Sequence, residues 1–304
     1  MAISTGSVFT GPADLLSLLR GNADPTLRTL VIDLRLPRAL SAFATGGLLA
    51  MAGVLMQVLL RNPLADPYIL GVSGGAATAA LASIMVGISG PLLGFNAFAG
   101  ALIVTWLVFA LSRGSGGWDS HRLLLTGVVI AAGCGAIISV LLAIGTDTSL
   151  RTMVFWLLGD FSFADRPLLP WLVLAFALVA ALVLAPALNI LAHGHARAAT
   201  LGIAVPRLRL AIYLLSSLVT AIAVTTAGTI GFVGLIVPHA IRLVTGSDHR
   251  IVLPASVLLG GSLLVVADTL ARTVVAPRQL PVGALTALIG VPIFIYLMRR
   301  RSTS

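Results

Sequence analysis

Two residues inside apolar stretches have side chains able to hold or move a proton, Asp268 and His239. Asp268 stands four residues before Arg272, a spacing that puts carboxylate and guanidinium on one helical face where they can pair. A proton-coupled transporter would need Asp268 or His239 as its ion site, but an acid with a cation one turn away reads better as a structural ion pair. His239 follows Pro238 directly, and capping or packing at a membrane interface is its plainer role. The other histidines, His121, His193, His195 and His249, show no mutual spacing that would build a cage, so no metal site and no cofactor are assigned. All 19 basic residues are arginine and all 10 acidic ones aspartate. Without lysine the chain cannot form a G-x-x-x-x-G-K-[ST] phosphate loop, whose lysine contacts the β- and γ-phosphates. If ATP drives this protein, another subunit hydrolyses it. The single cysteine, Cys134, sits in an apolar run and reads as a small buried thiol.

The elements that must position these residues are membrane helices. Of 304 residues, 58% are hydrophobic and 10% charged, with a mean hydropathy of +1.07. Soluble domains carry about 25% charged residues, so a soluble enzyme, a nucleic-acid-binding domain and a disordered chain are all excluded. The net charge of +9 then reads as the arginine excess that orients membrane loops, with lipid rather than nucleic acid as the surrounding partner. A bilayer core needs roughly 20 apolar residues per helix. Spans are expected near 38–60, 68–88, 92–112, 123–145, 168–191, 210–229, 232–245, 252–276 and 281–298, an all-α polytopic bundle of nine, with 232–245 short enough to tilt or re-enter. With Arg299, Arg300 and Arg301 inside, the cytoplasmic loops carry Arg61, Arg113, Arg122, Arg197, Arg207, Arg209, Arg242 and Arg250, against Arg151, Arg166, Arg272 and Arg278 opposite. This bias places the C-terminus in the cytoplasm.

Residues 1–37 form an extracytoplasmic N-terminal segment and 38–304 the transmembrane domain. The segment lacks the basic start and apolar core of a signal peptide. Within it, 26–36 reads as a short amphipathic helix capped by Asp24, with Pro25 in its first turn and Leu27, Leu30, Val31 and Leu34 on one stripe. Pro37 should break it before the first span.

Three places interrupt the apolar pattern. Arg61-Asn62-Pro63-Leu64-Ala65-Asp66-Pro67 reads as a rigid turn in which Asn62 and Asp66 satisfy backbone groups that Pro63 and Pro67 leave free. Gly71-Val72-Ser73-Gly74-Gly75 follows, and its Gly71/Gly75 face allows either close helix packing or a helix lining a path, with Ser73 and Gly74 beside it. From Gly228 to His239 glycine recurs every third residue through Gly231 and Gly234, ending at Pro238; helices tolerate this only where neighbours re-satisfy the backbone. The longest cytoplasmic connection, 192–206, contains His193, Gly194, His195, Arg197, Leu201 and Gly202, and reads as two short helices with a turn that could dock a partner or merely connect.

In order, these segments resemble the permease subunits of ABC importers for iron–siderophore complexes, haem and cobalamin, the FecCD-type family with type II importer architecture. The matching pieces are Arg35-Leu36-Pro37-Arg38, Arg61 to Pro67 running into Gly71 to Gly75, Gly228 to His239, Asp248-His249-Arg250, Ala267-Asp268 through Arg272, Leu280-Pro281-Val282-Gly283 and Gly290-Val291-Pro292, covering about 35–298. The resemblance implies that Arg35, Arg38 and Arg272 meet acidic residues of a periplasmic substrate-binding protein, and that 192–206 is the coupling loop seated in an ATPase subunit. The family commonly has Ala-Leu-Gly-Glu where this chain has Ala192-His193-Gly194-His195, so one potential acidic contact is replaced by His195. The family usually has ten spans, with one helix before Arg35; either Met1 is an internal methionine of a longer natural protein, the favoured expectation, or this is a nine-span variant.

The implied assembly is two copies of this chain, two ATP-binding ATPase subunits and one binding protein in a bacterial inner membrane. The pathway would lie between the copies, lined by 68–88 and its neighbours, and this chain would carry out no covalent chemistry. Gly159-Asp160-Phe161 leans towards cobalamin or haem rather than a siderophore. The rival reading is a secondary transporter that couples an ion gradient through Asp268 or His239.

Overall fold

The computed structural model describes residues 11–114, 117–118, 120–162, 164 and 166–301. The first ten residues of the expected N-terminal segment, and the side chains of Arg299, Arg300 and Arg301, lie outside what is described. The helices are α1 Pro12–Leu19, α2 Pro25–Arg28, α3 Leu36–Leu59, α4 Val72–Met85, α5 Pro91–Ser112, α6 Ser120–Ile144, α7 Asp147–Leu158, α8 Leu168–Ala192, α9 His195–Thr200, α10 Val205–Ala227, α11 Val233–Thr245, α12 His249–Thr273 and α13 Val282–Arg301.

The expected cap is present: the Asp24 side chain accepts from the Thr26 N–H, with Pro25 at the first helical position. The expected break at Pro37 is not. Residues Thr29–Arg35 form a π-helical stretch that joins α2 to α3, so one continuous rod runs Pro25–Leu59. The wider π turn loosens the ladder just before the proline, which has no N–H to offer and would crowd the preceding carbonyl in a regular α-helix.

The rod's apolar end is the axis of the fold. From Ala44 to Leu59 every residue of α3 is buried, among α8, α10, α11 and α12. Lipid is as apolar as leucine, so helices here gain by close backbone approach more than by apolar burial. Small residues supply that approach at two crossings. A methyl on Gly46 would overlap the Gly260 carbonyl of α12, and one on Gly53 would overlap the Gly234 carbonyl of α11. Trp171 of α8 stacks on Phe43 at 5.4 Å and donates its indole N–H to the Leu40 carbonyl, fixing α8 along the same rod.

Among the described residues six helices are long and apolar enough to cross a membrane, not the nine expected: Pro25–Leu59, Pro91–Ser112, Ser120–Ile144, Leu168–Ala192, Val205–Ala227 and His249–Thr273. The three other apolar stretches form shorter helices, Val72–Met85, Val233–Thr245 and Val282–Tyr296. The 14 residues of α4 reach about 21 Å, well short of a bilayer core of about 30 Å. Hydropathy counted residues whose backbone leaves the helix. Pro67–Leu70 is a 3₁₀ turn closed by left-handed Gly71 (φ 73°), and residues 228–232 lie between the end of α10 and the start of α11.

Non-helical backbone at such depth must find partners inside the protein. One side chain joins the two interrupted stretches: the Tyr68 hydroxyl donates to the Ile230 carbonyl at 3.1 Å and accepts from the Ile230 N–H at 3.0 Å. The α11 start is also held by Gln57 of α3, which donates to the Gly234 and Leu235 carbonyls and accepts from Arg242. Phe232, the N-cap of α11, has φ 70°, a left-handed conformation unfavourable for a bulky residue and kept by the packing around it.

Candidate functional site

Four separate parts of the chain converge where α3 begins and α12 ends. The first turn of α3 brings Arg38, with Arg35 immediately before it; the last turns of α12 bring Asp268 and Arg272; the loop after α7 brings Asp160 and Ser162; and 274–281 brings Gln279. Backbone bonds set these loops, from Asp160 N–H to the Ala227 carbonyl, Leu280 N–H to Ala271 and Val282 N–H to Gly159, at 2.8–2.9 Å. Arg38 grips Asp268 through two nitrogens: Nε reaches Oδ1 at 3.0 Å and Oδ2 at 3.1 Å, and Nη2 reaches Oδ1 at 2.8 Å. Arg272 pairs with the other side of the same carboxylate, Nε to Oδ2 at 3.1 Å. Arg38 also meets Asp160 at 3.4 Å, Gln279 at 3.3 Å and Ser162 at 3.4 Å. Arg35 is 4% exposed.

The structure therefore brings together the three arginines that sequence singled out, and adds a partner that sequence placed elsewhere. The i,i+4 spacing pointed to Arg272 as the mate of Asp268, and that pair is present. The closer grip comes from Arg38, 230 positions away, through a pairing that no local pattern encodes. Asp160, Ser162 and Gln279 were missed as members of this cluster for the same reason. Two guanidiniums clasp one carboxylate from both sides, a geometry that suits a fixed ion pair and not a proton carrier. His239 is buried on α11. In Gly159-Asp160-Phe161, the aspartate faces Arg38 and Phe161 is buried in the core, so the element serves packing and charge pairing.

A second cluster lies at the other end of α12, about 30 Å away along its axis. Asn189, near the end of α8, donates to Asp248 Oδ1 at 2.7 Å and accepts from the His249 backbone N–H at 2.9 Å, with its Oδ1 also 2.6 Å from His249 Nδ1. Asp248 in turn caps α12 by accepting from the Arg250 N–H. The Asn189 amide and the Arg250 N–H favour the carboxylate form of Asp248 and hold its pKa below the usual range. Asn189 thus ties the end of α8 to the start of α12 just before the chain turns through His193 and Gly194 into α9.

Loop 192–206 contains one short helix, not two: α9 carries His195 and Arg197, Leu201 and Gly202 form the turn after it, and Val205 already begins α10. Arg61 reaches beside Gly194, and Arg209 of α10 bonds Ser120 at 3.1 Å. Burial, and then the charges of Arg209 and Arg61, lower the pKa of His195. This end is accordingly rich in fixed positive charge around the imidazole.

The residues expected to pack helices or line a path divide clearly. Asn62 accepts from the Leu64 N–H, and Asp66 from the Tyr68 N–H, so both close the turn around Pro63 and Pro67. Gly75 packs on α5 at Gly100, Gly71 and Gly74 pack on α6, and Ser73 is half-buried. Gly234 lies against Pro67 and Leu49, Pro238 is buried inside α11, and Gly231 has open space about its α-carbon. Half of the α4 residues are consequently buried by the chain's own packing. In contrast, 11% of the α6 span is buried, and Ala132, Gly133, Gly135 and Ala136 lie exposed along it.

The sequence model of the FecCD transport family matches residues 1–300. The chain is 43% identical over 282 residues to a cobalamin import system permease protein, BtuC, of Halobacterium salinarum, covering 91% of this chain and 75% of that relative. It is 42% identical over 283 residues to the hemin transport system permease protein HmuU of Yersinia pestis, covering 89% of this chain and 83% of that protein. Among solved structures, an inward-facing conformation of a transporter assigned to the metal-chelate ABC type superposes with a TM-score of 0.89 at 31% identity, covering 98% of this chain and 94% of the other.

Proposed function

The chain belongs to the FecCD transport family, and from that membership and the two clusters at the ends of α12 we propose how it works as an importer's permease. It is a multi-pass inner-membrane subunit of an ATP-binding-cassette importer for a metal chelate; it is not itself an enzyme, and it works with an ATPase and a substrate-binding protein. On our reading the chelate is cobalamin or haem, supported by the relatives that carry those names at 43% and 42% identity. Two copies of the chain pair through the exposed small residues of α6, which allow close approach in a stretch, Leu123 to Ile144, that has no Asp, Glu, Lys, Arg or His. A bulky chelate passes between the copies without being gripped.

Arg35, Arg38 and Arg272 receive carboxylates of the binding protein, since arginine gives directional, salt-sensitive contacts that steer a partner without an apolar patch. The turn around α9 seats in the ATPase subunit of each half. The observation that carries this reading is that α12 holds the arginine cluster at one end and at the other is bonded to Asn189 of α8, just before that helix leads into α9. Nucleotide-driven movement of α9 would then rock the bundle between inward- and outward-open forms.

The test is docking of the importer's own binding protein to the nanodisc-embedded complex. Replacing Arg35, Arg38 and Arg272 together by alanine should abolish binding and flatten its salt dependence while the ATPase stays attached. Undiminished binding would overturn the docking assignment.

A further inference from the structure

The Arg38 guanidinium is held firmly on one edge and loosely on the other. Its Nε/Nη2 edge lies 2.8–3.1 Å from the Asp268 oxygens, and the Asp268 side chain is 2% exposed. The Nη1/Nη2 edge meets Gln279 Oε1 at 3.3 Å, Ser162 Oγ at 3.4 Å and Asp160 Oδ1 at 3.4 Å. These contacts are longer than a well-formed N–H···O bond of about 2.7–3.2 Å, and both Gln279 and Ser162 are exposed. Ser162 also donates to Gln279 Oε1 at 3.2 Å, so the two can satisfy each other when Arg38 is taken elsewhere. A carboxylate is the acceptor best matched to that end-on fork, because it can take two parallel bonds from it.

We propose that Asp268 is a positioning residue for docking. It fixes Arg38 so that the Nη1/Nη2 edge faces outward, and holds Arg272 beside it through its second oxygen. Gln279 and Ser162 share that edge with the Asp160 carboxylate until a carboxylate of the substrate-binding protein displaces them. The inference rests on the docking reading above and adds to it which edge of which arginine is used, and what aims it. An arginine already ordered does not lose its rotamer freedom on binding, an advantage of about tenfold in affinity. The advantage acts on dissociation, since the steering charge is the same whether or not the side chain is fixed.

The experiment measures association and dissociation rates of the binding protein on the nanodisc-embedded complex. Asp268→Asn should raise the dissociation rate about tenfold, without slowing association, because removing an acid only favours an acidic partner's approach. If Asp268 acts through charge alone, the same variant dissociates no faster than the parent, and the proposal is overturned. Gln279→Ala and Ser162→Ala are surface changes that decide the matter if Asp268→Asn fails to assemble: each should slow dissociation by removing a competitor for the fork, and an unchanged or faster rate contradicts the proposal. The Arg35, Arg38 and Arg272 triple variant separates the two levels. If it abolishes docking while the Asp268, Gln279 and Ser162 variants leave dissociation unchanged, docking stands and the positioning role falls.

Discussion

Single side chains settle how this backbone can leave the helical state inside a membrane. Tyr68 supplies both a donor and an acceptor to Ile230, so Tyr68→Phe should leave two buried backbone groups unpaired. The expected cost is about 2 kcal/mol, read as a lower thermal midpoint of the purified protein with its helix content unchanged. His195 makes a pH-dependent contribution. Because burial, Arg209 and Arg61 depress its pKa, the folded protein binds the proton less readily than the unfolded chain. Its contribution is therefore complete above the ordinary histidine value of about 6.5 and is lost as pH falls below it. His195→Gln should make thermal stability less acid-sensitive between about pH 7 and pH 5; an unaltered pH profile would show that the imidazole does not titrate in that environment. Of these two residues, sequence singled out His195 from its place in the coupling loop. Tyr68 was invisible because its partner lies 162 positions away.

Elements were legible where length and apolar content decide them, and illegible where backbone conformation does. The six long spans follow from hydropathy, whereas the stretches ending in α4 and α11 were overcounted because an apolar residue scores the same outside a helix as within one. Gly71 and Gly228, both at positive φ, mark the places where the count should have stopped. Pro37 misled in the opposite direction, since a π-helical stretch let the rod continue through it. Packing of α3 on α12 depends on bare backbone at their crossing, so Gly46→Leu should cost about 1–3 kcal/mol through overpacking, measured by denaturant unfolding in micelles. The α8–α12 latch predicts a different defect. Asn189→Ala removes bonds to Asp248 and His249, and should raise the ATP hydrolysed per substrate imported several-fold while leaving binding-protein docking intact. A variant with an unchanged ratio would show that α12 does not carry the coupling.

At the scale of the whole molecule, the chain has the parts of a conduit and none of an engine. It has no lysine for a phosphate loop, and Asp268, buried in α12, is clamped between two arginines. The composition announced the membrane and the absent ATPase site, and the order of short motifs identified the family. The three-dimensional meeting of Arg38, Asp268 and Arg272, which turns scattered motifs into one ion-pair cluster, needed the fold. The ion-gradient alternative gives the opposite energetic expectation and can be separated cleanly. The decisive measurement is substrate accumulation in proteoliposomes holding this chain with its ATPase, supplied with the loaded binding protein and, in turn, with internal ATP alone or with a proton or sodium gradient alone. A permease powered by its ATPase accumulates substrate with ATP and with neither gradient; uptake driven by a gradient in the absence of ATP would show a secondary transporter instead.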